Sequence, residues 1–85
     1  MEVTFKYFAW VRERIGIAEE KAALPDSVAT VADAIKWLKT RGEGYAAAFE
    51  HEGIIRAAVD HTHAQHSSSL RGAREIAFFP PVTGG

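Results

Sequence analysis

One helical stripe set among strand-like stretches does most to limit what this 85-residue chain can fold into. In TVADAIKWLKTRG, from Thr30 to Gly42, the residues Val31, Ala34, Ile35 and Leu38 fall along one face at helical spacing. Thr30 is placed to cap the first turn, and Asp33 follows three residues later in a capping-box arrangement. Lys39 and Arg41 suit the negative end of the helix dipole. Gly42 is expected to end the helix with left-handed backbone angles. Residues 45–49, YAAAF, are expected to add one more helical turn.

Strand patterns surround this helix. EVTFKYFA alternates, with Val3, Phe5 and Tyr7 on one face and Thr4, Lys6 and Phe8 on the other. The first set is the core candidate, which leaves Phe8 as an aromatic on the polar face. WVRERIG then leaves the strand, and Gly16 marks a turn. EEKAALP is expected to form a short second strand that closes before Pro25 and pairs with the first as a hairpin. GIIRAAVD reads as a third strand, with Ile55, Ala57 and Val59 on one face. HTHAQHSSSLRGA is polar and turn-rich and has room for a short edge strand at most. REIAFF is the last strand, with Ile76 and Phe78 inward, so Phe79 joins Phe8 on the outward face. Two paired strands, a helix and further strands predict an α+β domain, a mixed sheet packed on one main helix. That is the plan of the ubiquitin-like β-grasp fold, here one domain over residues 1–85 with 80–85 as an extended tail.

Composition removes several functions. The chain has no cysteine, which excludes a disulfide framework, a thiolate metal site and a cysteine nucleophile. A net charge of −1, spread along the chain, leaves no basic footprint for nucleic acid. No apolar run approaches membrane-spanning length, and MEVTFKYFAW lacks the pattern of a signal peptide. The expectation is a cytoplasmic protein without nucleic-acid or membrane partners.

The tail, PPVTGG, carries the chemistry. Pro80 and Pro81 hold the chain extended and contribute no backbone donors, and Val82 and Thr83 favour extended angles. Gly84 and Gly85 make a tip thin enough to thread a channel where a Cβ would collide. A stiff stalk with a thin tip suits delivery of a terminal carboxylate into the active site of another protein. That carboxylate is ionised at neutral pH and is a poor electrophile. Acyl chemistry at Gly85 therefore needs prior activation, most simply as a mixed anhydride with AMP. The chain has no phosphate-cradling G-x-x-x-x-G-K-[ST] loop, so activation is expected from a partner that uses ATP.

The ending FFPPVTGG and the stretch FAWVRERIG, of the form F-A-x-x-R-E-x-x-G, resemble the small sulfur-carrier subunits of molybdopterin synthase, within the ubiquitin-like sulfur-carrier family. The resemblance spans nearly the whole chain, and LRGAREIAFFPPVTGG is its most specific part. It implies a β-grasp fold and a non-catalytic sulfur donor. Gly85 would be adenylated by a ubiquitin-activating-type adenylyltransferase and converted to a thiocarboxylate by a persulfide donor. It would then give its sulfur to cyclic pyranopterin monophosphate, towards the molybdopterin dithiolene, with residues 80–84 inserted in the large subunit of an expected heterotetramer. Catalytic side chains would belong to that subunit, and no cofactor would be bound by this chain. The resemblance also implies that Phe8 and Phe79 meet the large subunit, with His63 beside them and Arg12 as a further contact. His63 departs from the apolar residue common at its position. In LRGARE, Gly72 sits one place earlier than in the usual acidic turn, and Arg74 reverses a charge.

Other readings stay open. A thiamine-pathway sulfur carrier shares the fold and the Gly-Gly chemistry. A non-covalent ubiquitin-like module would leave the tail idle, and a protein modifier would join Gly85 to lysines. Phe8 and Phe79 as a cross-strand pair on an exposed face need no partner. His61, His63 and His66 invite a metal, but no carboxylate at a suitable spacing completes a set, so none is expected. Trp10 and Trp37 are expected as half-buried packing residues.

Overall fold

Alternation in the first strand sets the two faces of the sheet. In the computed structural model, which describes residues 1–81, β1 (Glu2–Tyr7) buries Val3, Phe5 and Tyr7 and turns Thr4 and Lys6 to the other side. The chain continues through α1 (Ala9–Ile15), β2 (Glu19–Ala23), α2 (Val31–Lys39) and α3 (Glu43–Ala48). A 3-10 turn (Glu52–Ile54) leads to β3 (Arg56–Val59), β4 (Thr62–Ala64) and β5 (Glu75–Phe79). The sheet order is β2-β1-β5-β3-β4. β1 pairs antiparallel with β2 and parallel with β5, and β3 pairs antiparallel with both β5 and β4. The last strand is thus held on both sides, in the middle of the sheet.

One face of the sheet carries the helices. Val31, Ala34, Ile35 and Leu38 of α2 are buried against Val3, Phe5, Ile76 and Phe78. Phe5 stacks on Phe78 at 6.0 Å, and Phe49 meets Phe78 edge-on at 5.1 Å. Each large apolar side chain fully buried here is worth about 1.5–3 kcal/mol. The expected cap is formed: Thr30 Oγ1 accepts from the Asp33 N–H, and the Asp33 carboxylate accepts from the Thr30 N–H. Trp10 and Trp37 are half-buried, as expected. The edge strand in the polar segment is present as β4.

Two details differ from the expectations. WVRERI is a helix, not a plain turn, so β1 and β2 pair without forming a tight hairpin. The helix is short and buries only Val11, too few apolar positions to show a period. Gly16 does supply the left-handed angle, φ 98°, that ends it.

The second difference is at Gly42, which does not end α2. The helix closes at Lys39, with Thr40 right-handed at its end and Thr40 Oγ1 donating to the Trp37 carbonyl at 2.6 Å. The Thr40 N–H also donates to the Trp37 carbonyl and the Arg41 N–H to the Leu38 carbonyl, so the helix closes without a left-handed residue. Gly42 has extended backbone and starts α3 instead.

Ala77 lies on the face opposite to Ile76 and Phe78 and is buried there. Its neighbours in the register, Lys6 and Ala58, stand on either side of it on that face.

Polar groups lock the frame. Glu20 Oε2 accepts from the Tyr7 hydroxyl at 2.8 Å and the Tyr45 hydroxyl at 2.6 Å. Arg41 lies 3.6 Å from the other oxygen and stacks over Trp37 and Tyr45. Burial, then the bond to Glu20, pushes the Tyr7 phenol far above its ordinary range.

Candidate functional site

The route of the tail begins at the end of β5. Its ladder stops at Phe79 because Pro80 and Pro81 have no N–H to continue it. Both prolines are half-buried, so the stalk leaves from the body of the domain. The expected tip residues Val82, Thr83, Gly84 and Gly85 lie outside the described residues.

The start of β5 is fixed as firmly. Asp60 Oδ1 accepts from the backbone N–H of Arg74 and of Glu75, each at 2.9 Å, and the Asp60 N–H donates to the Glu75 carbonyl at 2.9 Å. The two backbone bonds hold the Asp60 carboxyl below its ordinary value. Asp60 and His61 form the two-residue turn between β3 and β4, both with positive φ, 48° and 70°. Gly72, at φ 76°, takes the left-handed place in the turn closed by the Ala73 N–H on the Leu70 carbonyl at 2.9 Å. The shifted glycine of LRGARE therefore supports a regular turn, while the Arg74 side chain remains exposed.

Register brings the outward aromatics together. Tyr7 stands opposite Phe78, and the Phe8 N–H donates to the Phe78 carbonyl at 3.1 Å, so Phe8 and Phe79 are next in line on the face away from the helices. Phe8 is 49% exposed. Across β5, Phe79 stands opposite Arg56, and Ala77 opposite Ala58, whose partner on β4 is His63. His63 meets Phe79 edge-on, with ring centroids 6.4 Å apart. Phe8, Phe79 and His63 thus share one face, next to the tail. Arg12 does not join them: it is exposed on α1, in a separate cleft with Ala9, Glu13 and Gly16.

The other histidines are dispersed. His61 lies in the turn, 3.6 Å from Glu75, and His66 Nε2 lies 2.7 Å from the Ile55 carbonyl. Arg56 is the residue of this face that sequence reasoning passed over. Strand alternation sets it opposite to Ala57, but only pairing with β5 puts it beside Phe79. Among the described residues, no helix is long and apolar enough to cross a membrane.

A mixed five-stranded sheet with one helix-covered face and a central C-terminal strand defines a ubiquitin-like β-grasp protein. Residues 5–85 match the ThiS family, and the chain belongs to it. It is 38% identical to the molybdopterin synthase sulfur carrier subunit of Haemophilus influenzae, over 93% of this chain and 94% of the relative. It is 39% identical to the subunit of the same name from Escherichia coli, with the same coverage. The structure of SAMP1 from Haloferax volcanii superposes with a TM-score of 0.73 at 26% identity, covering 100% of both chains. The resemblance read from FAWVRERIG and FFPPVTGG, and the β-grasp fold it implied, are borne out.

Proposed function

We propose that this chain is the sulfur-carrier subunit of a molybdopterin synthase, and that Gly85 carries the sulfur. The observation that carries this reading is near full-length identity of 38–39% to two subunits of that name. The placement of β5 supports it, since a central strand pinned at both ends aims the Pro80–Pro81 stalk in one direction.

The chemistry belongs to the terminus and is supplied by partners. A Gly85 carboxylate oxygen attacks the α-phosphorus of ATP on an adenylyltransferase, pyrophosphate leaves, and an acyl adenylate forms. The terminal sulfur of a donor persulfide attacks the acyl carbon and AMP leaves, giving an acyl disulfide. A second thiol of the donor attacks the donor-side sulfur, forming a disulfide and releasing the thiocarboxylate. In the large subunit that sulfur attacks an oxygen-bearing carbon of cyclic pyranopterin monophosphate. The carbon–oxygen bond breaks, and its oxygen leaves on the phosphate or as water. Water then cleaves the acyl–sulfur bond, leaving sulfur on the pterin and returning the carboxylate. Two charged carriers build one dithiolene. Phe8, Phe79 and His63 form the docking face, with Arg12 a further contact. Desolvated aromatics are the usual anchors of such a face. The setting is the cytoplasm.

Intact mass after incubation with the host's activating enzyme, ATP and a sulfide source tests this reading. The expected gain is one oxygen replaced by one sulfur, absent when Gly85 is deleted. No gain, with an enzyme shown to act on another carrier, overturns it. Binding to a thiazole-forming partner in place of the synthase large subunit would point to the thiamine pathway, and conjugates on lysines to a protein modifier.

A further inference from the structure

Beside the stalk, between the 3-10 turn and the β4 edge, lies a cleft of about 390 Å³ whose walls include Ile54, Arg56, His63, His66 and Pro81. Its floor is apolar, and Ile54 is left 49% exposed. Arg56 is the charged residue of its lining, beside two imidazoles, and no carboxylate of the described residues lines it. Three cations lie beside a carboxylate, Lys6 by Glu75, Lys39 by Glu52 and Arg41 by Glu20. Among the described residues Arg56 has no carboxylate within 4.0 Å. The cleft also adjoins the aromatic face, because Arg56 stands opposite Phe79 and His63 rests against it.

We propose that this cleft receives an acidic segment of the protein that accepts the tail, with a carboxylate on Arg56 and an apolar side chain against Ile54 and Pro81. The proposal rests on the carrier reading, which makes the large synthase subunit that protein. The guanidinium fork pairs a carboxylate through two hydrogen bonds, and such a pair gains strength when an apolar floor excludes water. Pro81 of the stalk is a wall of the cleft, so the cleft directly adjoins the stalk. Arg56 then makes the contact surface cationic at this edge, and an acidic segment complements it.

Affinity for the host's large subunit, measured by calorimetry with the full chain at two salt concentrations, tests the proposal. Arg56→Glu is expected to weaken binding by about tenfold or more and to flatten the salt dependence. Arg71→Glu makes the same charge change in the groove by Met1 and Pro25, and should stay within about threefold. Arg56 is exposed, and Arg56→Gln serves as a second, milder variant with the same direction of effect. Equal weakening by Arg56→Glu and Arg71→Glu, or by neither, overturns the proposal. So does a defect that disappears when both chains end at Pro81, since the cleft would then hold the chain's own terminal carboxylate. Sulfur loading of Arg56→Glu, read by intact mass, keeps the two failures apart: loading without an affinity effect removes only the cleft. Loss of loading in the unaltered chain removes the carrier reading itself.

Discussion

His63 lies edge-on against Phe79, their planes 67° apart, on the open face of the sheet and beside the stalk of the tail. The contact joins the edge strand β4 to the central strand β5 across β3. An aromatic held in this way is ordered before any partner arrives, which lowers the cost of docking.

Replacement of Phe79 by Ala is expected to weaken binding to the large subunit by about 2 kcal/mol, or roughly thirtyfold. The core side chains on the opposite face are untouched, so sulfur loading of Gly85 should persist. Calorimetry with the large subunit, beside intact mass, checks both.

The Glu20 carboxylate organises a different corner. Tyr45→Phe removes one donor to it and should cost about 0.5–1.5 kcal/mol in denaturant melts. Glu20→Ala leaves the buried Tyr7 hydroxyl without its acceptor and should cost more, about 1–3 kcal/mol beyond any loss of packing.

The same pair sets the alkaline limit. The folded state holds the Tyr7 proton more tightly than the unfolded chain, whose phenol ionises near 10.0. Above that pH the unfolded state binds fewer protons, so stability falls as pH rises. Tyr7→Phe should flatten this decline in melts between about pH 9 and pH 11. On the acid side Asp33 and Asp60 have lowered values, so the stability they add is present above the ordinary carboxylate range and is lost as pH falls through their folded values.

Gly44 sits where α3 crosses α1, and a Cβ there would stand 2.6 Å from the Arg14 carbonyl oxygen. Backbone must move to admit it, so Gly44→Ala is expected to destabilise by about 1–3 kcal/mol despite the better helix propensity of alanine. Thermal unfolding measures this directly.

His61 occupies a left-handed position, φ 70°, without the freedom of glycine. An Asp-Gly pair is the favoured sequence for a two-residue turn with both angles positive. His61→Gly is expected to stabilise the hairpin by about 0.5–1 kcal/mol, the relief of strain outweighing the added unfolded-state entropy and the loss of an exposed contact to Glu75. A higher midpoint in urea is the expected result.

Much of this protein was legible in local patterns, because burial repeats with the period of the element that carries it. Val3, Phe5 and Tyr7 announced the inner face of β1, and Val31, Ala34, Ile35 and Leu38 the buried stripe of α2, down to the Thr30–Asp33 cap. The family was carried by FAWVRERIG and FFPPVTGG, where residue identity rather than period is informative. Helix α1 escaped because a single buried residue has no period, and Gly42 misled because Thr40 had already closed α2 with its own hydroxyl. Strand order is another matter. A period of two says which side chains share a face of one strand and nothing about which strand lies beside it. Only the tertiary structure placed β5 between β1 and β3, bringing Arg56 opposite Phe79 and His63 against it, because pairing between distant segments is decided by the shared core they bury together.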